Sequence, residues 1–144
     1  MPVKEKDGLA VIVVGLDGST PAKNASAWAA GMARREKAQL VLVYVEPLLA
    51  PGSWAGVGAE TAGETTVSIM VEMRLDAARY LDPVGVKWSV VHHRGDPARG
   101  LEAIAAEFEA DCVVVGRSRA GGGKLGSVPR TLIADAKRPV VVVP

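Results

Sequence analysis

The chain has 144 residues, enough for one domain with a full core and too few for two ordinary ones. Seventeen Lys and Arg against sixteen Asp and Glu leave a formal net charge of +1, which excludes a general binder of nucleic acid or anionic membranes; any anion site must be local. No apolar stretch approaches the roughly 20 residues that cross a bilayer, and Met1 to Gly8 carries charges of both signs without a signal peptide's apolar core, so the expected compartment is the cytoplasm. The single cysteine, Cys112, permits no internal disulfide and reads as a small buried strand residue. Asn24-Ala25-Ser26 fits a glycosylation pattern that a cytoplasmic chain never uses.

Leu9 to Leu16 is a short, Val- and Ile-rich run, as expected of a strand buried on both faces of a parallel sheet, and it stops at Asp17-Gly18. Thr20-Pro21 reads as an N-cap and first helical position, followed by Ala25, Trp28, Ala29 and Met32 at helical spacing to about Lys37. Leu40 to Val45 is the second buried strand, closed by Glu46-Pro47. Leu48 to Gly63, rich in Gly, Pro and Ala and without periodicity, reads as a mobile loop with Trp54 in its middle, either a cover for a ligand or partner or a side chain folded back on the protein. From Glu64 to Leu81 a helix is expected, with Val67, Val71, Leu75, Ala78 and Leu81 on its inward face.

After the turn Asp82-Pro83-Val84-Gly85, Val86 to His92 alternates apolar and polar residues, the pattern of an edge strand. Gly95-Asp96-Pro97 opens a helix capped by Asp96, with Leu101, Ile104, Ala105 and Phe108 facing inward. Asp111 to Gly116 is the next buried strand, Ser127 is expected to cap the last helix, and Pro139 to Val143 is the closing strand. Five strands alternating with four helices define an α/β domain with a parallel sheet, whose ligand rim lies at the strands' carboxyl ends.

Two segments on that rim fit a nucleotide site. One is the strand end Gly15-Leu16-Asp17. A carboxylate there either accepts hydrogen bonds from ribose or holds a metal-bound water, or it merely caps the turn through the N–H of Ser19 or Thr20. The other is the basic glycine-rich loop from Gly116 to Ser127, where strand, loop and helix start follow one another. Its backbone N–H groups favour an anion, and Arg117, Arg119 and Lys124 are available to neutralise phosphates unless they are only solvated surface.

Stock motifs fail. Gly121 to Gly126 formally satisfies GxGxxG, but a triple glycine inflates such matches, the match starts well past the strand, and no acidic second-strand partner follows. Gly123-Lys124 lacks the earlier glycine and the following Ser or Thr of a P-loop. His92 and His93 point to opposite faces of a strand and cannot share one metal. Ser19, Ser118 and Ser127 lack a nucleophile-elbow context, and no catalytic triad is apparent.

Taken in order, Val11 to Ser19 with Asp17-Gly18-Ser19, Val43-Tyr44-Val45-Glu46-Pro47, Gly95-Asp96-Pro97, Val113 to Gly116, Gly126-Ser127-Val128 and Pro139 to Val143 resemble the universal stress protein family over essentially the whole chain. The resemblance implies a three-layer sandwich with a five-stranded parallel sheet in the order 3-2-1-4-5, the Rossmann-like adenine nucleotide alpha hydrolase-like fold. It also implies one universal stress protein domain over residues 1–144, cytoplasmic bacterial origin and homodimers joined through the terminal strand. Family members that bind ATP carry G-x2-G-x9-G-[ST]; others lack it and bind none. Here Gly116 matches the first glycine and Gly126-Ser127 the end, with about three fewer residues between them. Arg119 holds the second glycine's place counted from the left, or Gly121, Gly122 or Gly123 replaces it.

Carried over, the resemblance places Asp17 on the ribose, the backbone near Gly15 and Leu16 on the adenine, and Gly116, Gly126, Ser127 and Val128 on the phosphates, with ATP, accompanied by Mg2+, as the implied ligand. The family's small aliphatic residue beside the adenine falls on Tyr44, which either stacks on the base or fills its space.

Three functions compete. The first is a dimeric stress-response regulator that binds an adenine nucleotide. The second is a dimeric interaction module of the same family without a ligand. The third is an enzyme, which would need a general base, metal set or paired-histidine phosphate motif that is missing apart from Asp17, so at most weak ATP hydrolysis is expected. Dimerisation has a physical reason: Val140 to Val143 is an apolar edge strand, and pairing with its copy across a twofold axis removes an aggregation template.

Overall fold

The aliphatic runs pair into one five-stranded sheet of β1 (Val11–Leu16), β2 (Gln39–Glu46), β3 (Trp88–Arg94), β4 (Cys112–Gly116) and β5 (Val140–Val143). All neighbours are parallel, as the strand pattern leads one to expect, and the order is β3-β2-β1-β4-β5, as the family resemblance implies. The computed structural model describes residues 9–46, 59–117 and 126–144, with the backbone alone for 59–64. Trp54, Arg119 and the three glycines Gly121 to Gly123 therefore lie outside the described residues.

Helices cover both faces. Ile12, Val14, Leu40, Leu42, Cys112 and Val114 pack under α1 (Thr20–Glu36) and α2 (Ala59–Leu81). Val13, Val41, Val43, Val113 and Val115 pack under α3 (Pro97–Glu107) and α4 (Ser127–Ala134). Two buried faces explain why the central strands are unbroken Val, Ile and Leu runs instead of alternating ones. β3 pairs only with β2 and is an edge, as its alternation indicates. No helix among the described residues is long and apolar enough to cross a membrane.

Several local expectations are corrected. The first helix is capped by Ser19, not Thr20. Ser19 Oγ accepts the Ala22 N–H at 3.2 Å, because Pro21 in the first turn has no N–H to offer. Ser127 does not cap the last helix; Gly126 holds the N-cap position, without a side-chain cap. The first strand begins at Val11, since the N–H groups of Ala10 and Val11 donate to Asp111 Oδ2 at 2.7 and 2.9 Å instead of entering the ladder. The third strand runs from Trp88 to Arg94, two residues later than expected at both ends. The supposed loop Leu48 to Gly63 is already helical from Ala59. Asp96 does cap α3, accepting the Arg99 N–H at 2.8 Å.

The largest correction concerns α2. Val67, Val71 and Leu75 are 63%, 48% and 64% exposed, and the buried side carries Met70 and Ala77 in their place, with Leu81 buried as expected. Both sets repeat at helical spacing, so periodicity alone cannot rank them. The sheet selects the set that continues through Leu81 into Val86, which pack in the same core.

The inner face of α1 is Ala22, Ala25, Ala29 and Ala33. Such small side chains let the helix lie close on β1 and β4. A Cβ added to Gly116 would stand 2.5 Å from the Pro21 carbonyl carbon and 2.6 Å from the Ala22 nitrogen, both backbone atoms. At Gly15 the same atom would meet the flexible end of Leu101 at 2.8 Å. Gly116→Ala is therefore expected to destabilise by about 1–3 kcal/mol and Gly15→Ala by clearly less. Urea unfolding of the two variants checks the order.

Candidate functional site

The rim at the strands' carboxyl ends is organised first by the turn out of β1. Gly18, at φ +83°, lets the chain reverse into α1, and Asp17 Oδ1 accepts the Ser19 N–H at 2.9 Å. The turn-holding role of Asp17 is thus present. The same residue also lines a cavity of about 670 Å³, together with Leu16, Ser19, Ala22, Lys23 and Tyr44.

Tyr44 sits opposite His92 in the β2–β3 register. The two rings stack with centroids 5.8 Å apart and planes 20° from parallel. His92 Nε2 lies 2.7 Å from Glu46 Oε2, so the imidazole is held from two sides. Burial, and secondarily the Glu46 carboxylate, raise the Tyr44 phenol above its ordinary 10.0. This trio escapes a reading of the sequence motif by motif. Its signal is the two-residue spacing of Tyr44 and Glu46 on one strand face, which becomes meaningful only once His92 is in register. His93, on the opposite face, packs its ring against Gly100 and places Nε2 3.1 Å from the Asp96 carbonyl oxygen, so the two histidines do face apart.

The second part of the rim surrounds the start of α4. The Arg117 N–H donates to the Val143 carbonyl at 2.7 Å, and the Gly126 N–H donates to the Arg117 carbonyl at 3.3 Å, pinching together the two ends of residues 118–125. The Arg130 N–H returns to the Gly126 carbonyl at 3.2 Å. Pro129 has no N–H, so the first turn of α4 offers the amides of Ser127 and Val128, with no side-chain cap over them. Ser127 is exposed and Val128 half-buried.

The structure therefore groups the expected residues in two sets. Leu16, Asp17 and Tyr44 line one cavity, and Gly116, Arg117, Gly126, Ser127 and Val128 gather beside it. Gly116 joins the sets, since it touches Pro21 and Ala22, and Ala22 belongs to the cavity wall. Gly15 turns toward Leu101 of α3 and brings only its backbone to the rim. Cys112 is buried beneath, and burial, with the Asp111 charge second, pushes its thiol up to about 11, which keeps it an unreactive thiol at neutral pH.

Residues 9–144 match the family model of the universal stress proteins. The chain belongs to the universal stress protein family. A universal stress protein of Mycobacterium tuberculosis is 31% identical over 143 residues, which cover 92% of this chain and 47% of that protein. The chain thus spans about half the length of that relative. Among solved structures, a universal stress protein in complex with cAMP matches with TM-score 0.71 and 25% identity over 95% of this chain and 98% of that one. The universal stress protein from Archaeoglobus fulgidus in complex with dAMP matches in fold with TM-score 0.62 and 23% identity, covering 94% and 98%. The strand order, the Asp17 turn and the glycine at the end of β4 are thus seen in this universal stress protein in the sequence order that first pointed to the family.

The Tyr44 environment gives a titration test. Because the folded-state value is raised, the neutral phenol contributes stability that is complete below pH 10 and is lost as pH rises through the folded value. In a Tyr80→Phe background, absorbance titration of Tyr44 is expected above 10, and Glu46→Gln is expected to lower it. An unchanged titration in Glu46→Gln removes the carboxylate from the account.

Proposed function

We propose that this universal stress protein binds an adenine nucleotide at the rim and acts as a dimeric stress-response regulator. The observation that carries the reading is the continuity of two unlike surfaces. The cavity mouth at Leu16, Asp17 and Tyr44 suits a base and ribose, and the uncapped amides of Ser127 and Val128 at the start of α4 suit phosphates. Gly116 makes that continuity possible, because a side chain there would drive β4 away from α1. The solved family structures bound to cAMP and dAMP support the ligand class. If ATP is the ligand, Asp17 would hold the ribose, the backbone of Gly15 and Leu16 the adenine, and Gly116, Gly126, Ser127 and Val128 the phosphates, with Arg117 and Arg119 alongside. Mg2+ would accompany the phosphates and screen their charge.

A ligand-free interaction module is the second reading, and two observations favour it. The Gly126 N–H is already spent on the Arg117 carbonyl, and Tyr44, held by His92, stands where the base would lie. The two readings separate on one set of measurements. Freshly purified protein is denatured and the released small molecules identified, and stripped protein is titrated with ATP by calorimetry. The nucleotide reading expects a stoichiometric adenine nucleotide or micromolar binding, weakened at least about tenfold by Asp17→Asn, a loss of about 1.4 kcal/mol. If Tyr44 stacks on the base, Tyr44→Val weakens ATP; if it fills the space, Tyr44→Val strengthens it. No released nucleotide and no heat at millimolar ATP would establish the second reading.

For the dimer, β5 is the reason. Val140 to Val143 pair with β4 on one side, and the strand ends the sheet order on the other. Val142→Asp is expected to give a folded monomer by circular dichroism and sedimentation, and a folded, unchanged dimer would move the interface elsewhere.

A further inference from the structure

The cavity that begins at Asp17 does not stop at the rim. It continues between α1 and α2, past Ala27 and Ala30 on one side and Ile69, Met73, Ala77 and Leu81 on the other, over a floor of Leu40 and Leu42. Its origin lies in the packing. α1 rests on β1 and β4, α2 rests on β3 and the 3-10 turn at Asp82–Val84, and the face of β2 between them receives neither helix fully. From Ile69 to Leu81 the slot runs about 18 Å at about 1.5 Å per helical residue. Its volume of about 670 Å³ exceeds what a base and ribose at the mouth require, and lies within the usual range of small-molecule sites.

The polar groups on the slot are unevenly signed. Among the described residues, Asp17, Glu72 and Asp76 line it against Lys23. A polyphosphate or a carboxylate drawn into the slot meets like charge at its exposed lips. An uncharged or cationic chain meets an apolar floor and complementary lips.

We propose that the slot between α1 and α2 is a second binding site, for an elongated apolar small molecule with a neutral or cationic head. This inference goes beyond the nucleotide reading and does not rest on it. The Tyr44 and Asp17 end is shared, but the deep part is built from residues that touch neither proposed base nor proposed phosphate.

The experiment uses three probes of one chain length on the full-length protein, each below its micelle threshold: 1-decanol, decyltrimethylammonium and decanoate. Binding is followed by calorimetry and by the methyl resonance of Met73, which lines the slot. Decanol and decyltrimethylammonium are expected to bind saturably and shift Met73, and decanoate to bind at least about tenfold more weakly. Ala27 is exposed at the lip, so Ala27→Phe fills the slot without disturbing the core and is expected to weaken decanol at least about tenfold. The double variant Glu72→Gln, Asp76→Asn is expected to bring decanoate toward decanol. Absence of saturable decanol binding, indifference to Ala27→Phe, or equal binding of all three probes by the unmodified protein would each overturn the proposal. ATP titration is read separately on the unmodified protein: no ATP binding beside saturable decanol binding overturns the nucleotide reading alone, and ATP binding without decanol binding overturns the slot alone.

Discussion

The alanine face of α1 is the constraint from which the rest of the structure follows. Ala25, Ala29 and Ala33 are fully buried and Ala22 nearly so, and side chains of this size bring the helix axis close to the sheet. Two consequences have opposite signs. Over β1 and β4 the approach is so close that only glycine fits at the end of β4, and Gly116 is there. Toward β2 the small side chains of α1 leave room between the two helices, and α2, seated over β3, does not fill it. The same residues therefore seal the central strands and open a slot beside them. Larger residues at Ala22, Ala25, Ala29 or Ala33 would lift the helix off Gly116 and loosen the rim, whereas a larger residue at Ala27, on the exposed lip, would close the slot alone.

The rim inherits a division of charge from this geometry. On one side of Gly116, acidic residues surround an apolar cavity mouth, with Asp17 in the turn and Glu46 behind Tyr44 and His92. On the other side, the first turn of α4 presents backbone donors at the positive end of the helix dipole. An adenine nucleotide has the matching asymmetry, a flat and largely uncharged base at one end and an anion at the other. A ligand reversed in this site would bring its phosphates to Asp17 and Glu46, which like-charge repulsion disfavours. Under the proposed nucleotide reading, this division of charge favours the base at Asp17 and the phosphates at α4.

Much of this was legible in the sequence, and the parts that were not share a cause. Strand positions emerge from aliphatic runs bounded by Gly, Pro and Asp, because burial on both faces leaves little freedom in composition, whereas their order in the sheet followed only from the family resemblance. The Asp96 cap and the Asp17 turn are local, spanning two or three residues, and read correctly for that reason. The Ser19 cap, though equally local, was displaced by one residue because Pro21 occupies the second helical position, leaving the third amide, that of Ala22, to donate to the Ser19 hydroxyl. The orientation of α2 was legible only at Leu81. Val67, Val71 and Leu75 form as good a stripe as Met70, Ala77 and Leu81, and the choice between them is made by the sheet, through the Val86 and Leu81 contacts that no local pattern encodes.

The candidate site divides along the same line. Asp17, Gly116 and Gly126 could be named from spacing because each closes a turn or opens a helix, a backbone function that leaves its mark on neighbouring residues. The Tyr44, His92 and Glu46 trio could not, since it joins strands 46 residues apart and depends on a register that a single-residue slip would destroy. That dependence bears on function. Tyr44 is presented to the cavity in one orientation because His92 lies flat against it and Glu46 fixes His92, so the shape of the cavity mouth is determined by the pairing of an edge strand. Among the described residues β3 pairs with β2 alone, and α2, one of the two helices packed on it, also forms one wall of the slot. Occupancy of the slot and the posture of Tyr44 are therefore supported by the same two elements. A ligand that presses α2 outward acts on the strand that sets the base end of the rim, and this is the physical route by which an apolar ligand and a nucleotide would sense one another in this fold.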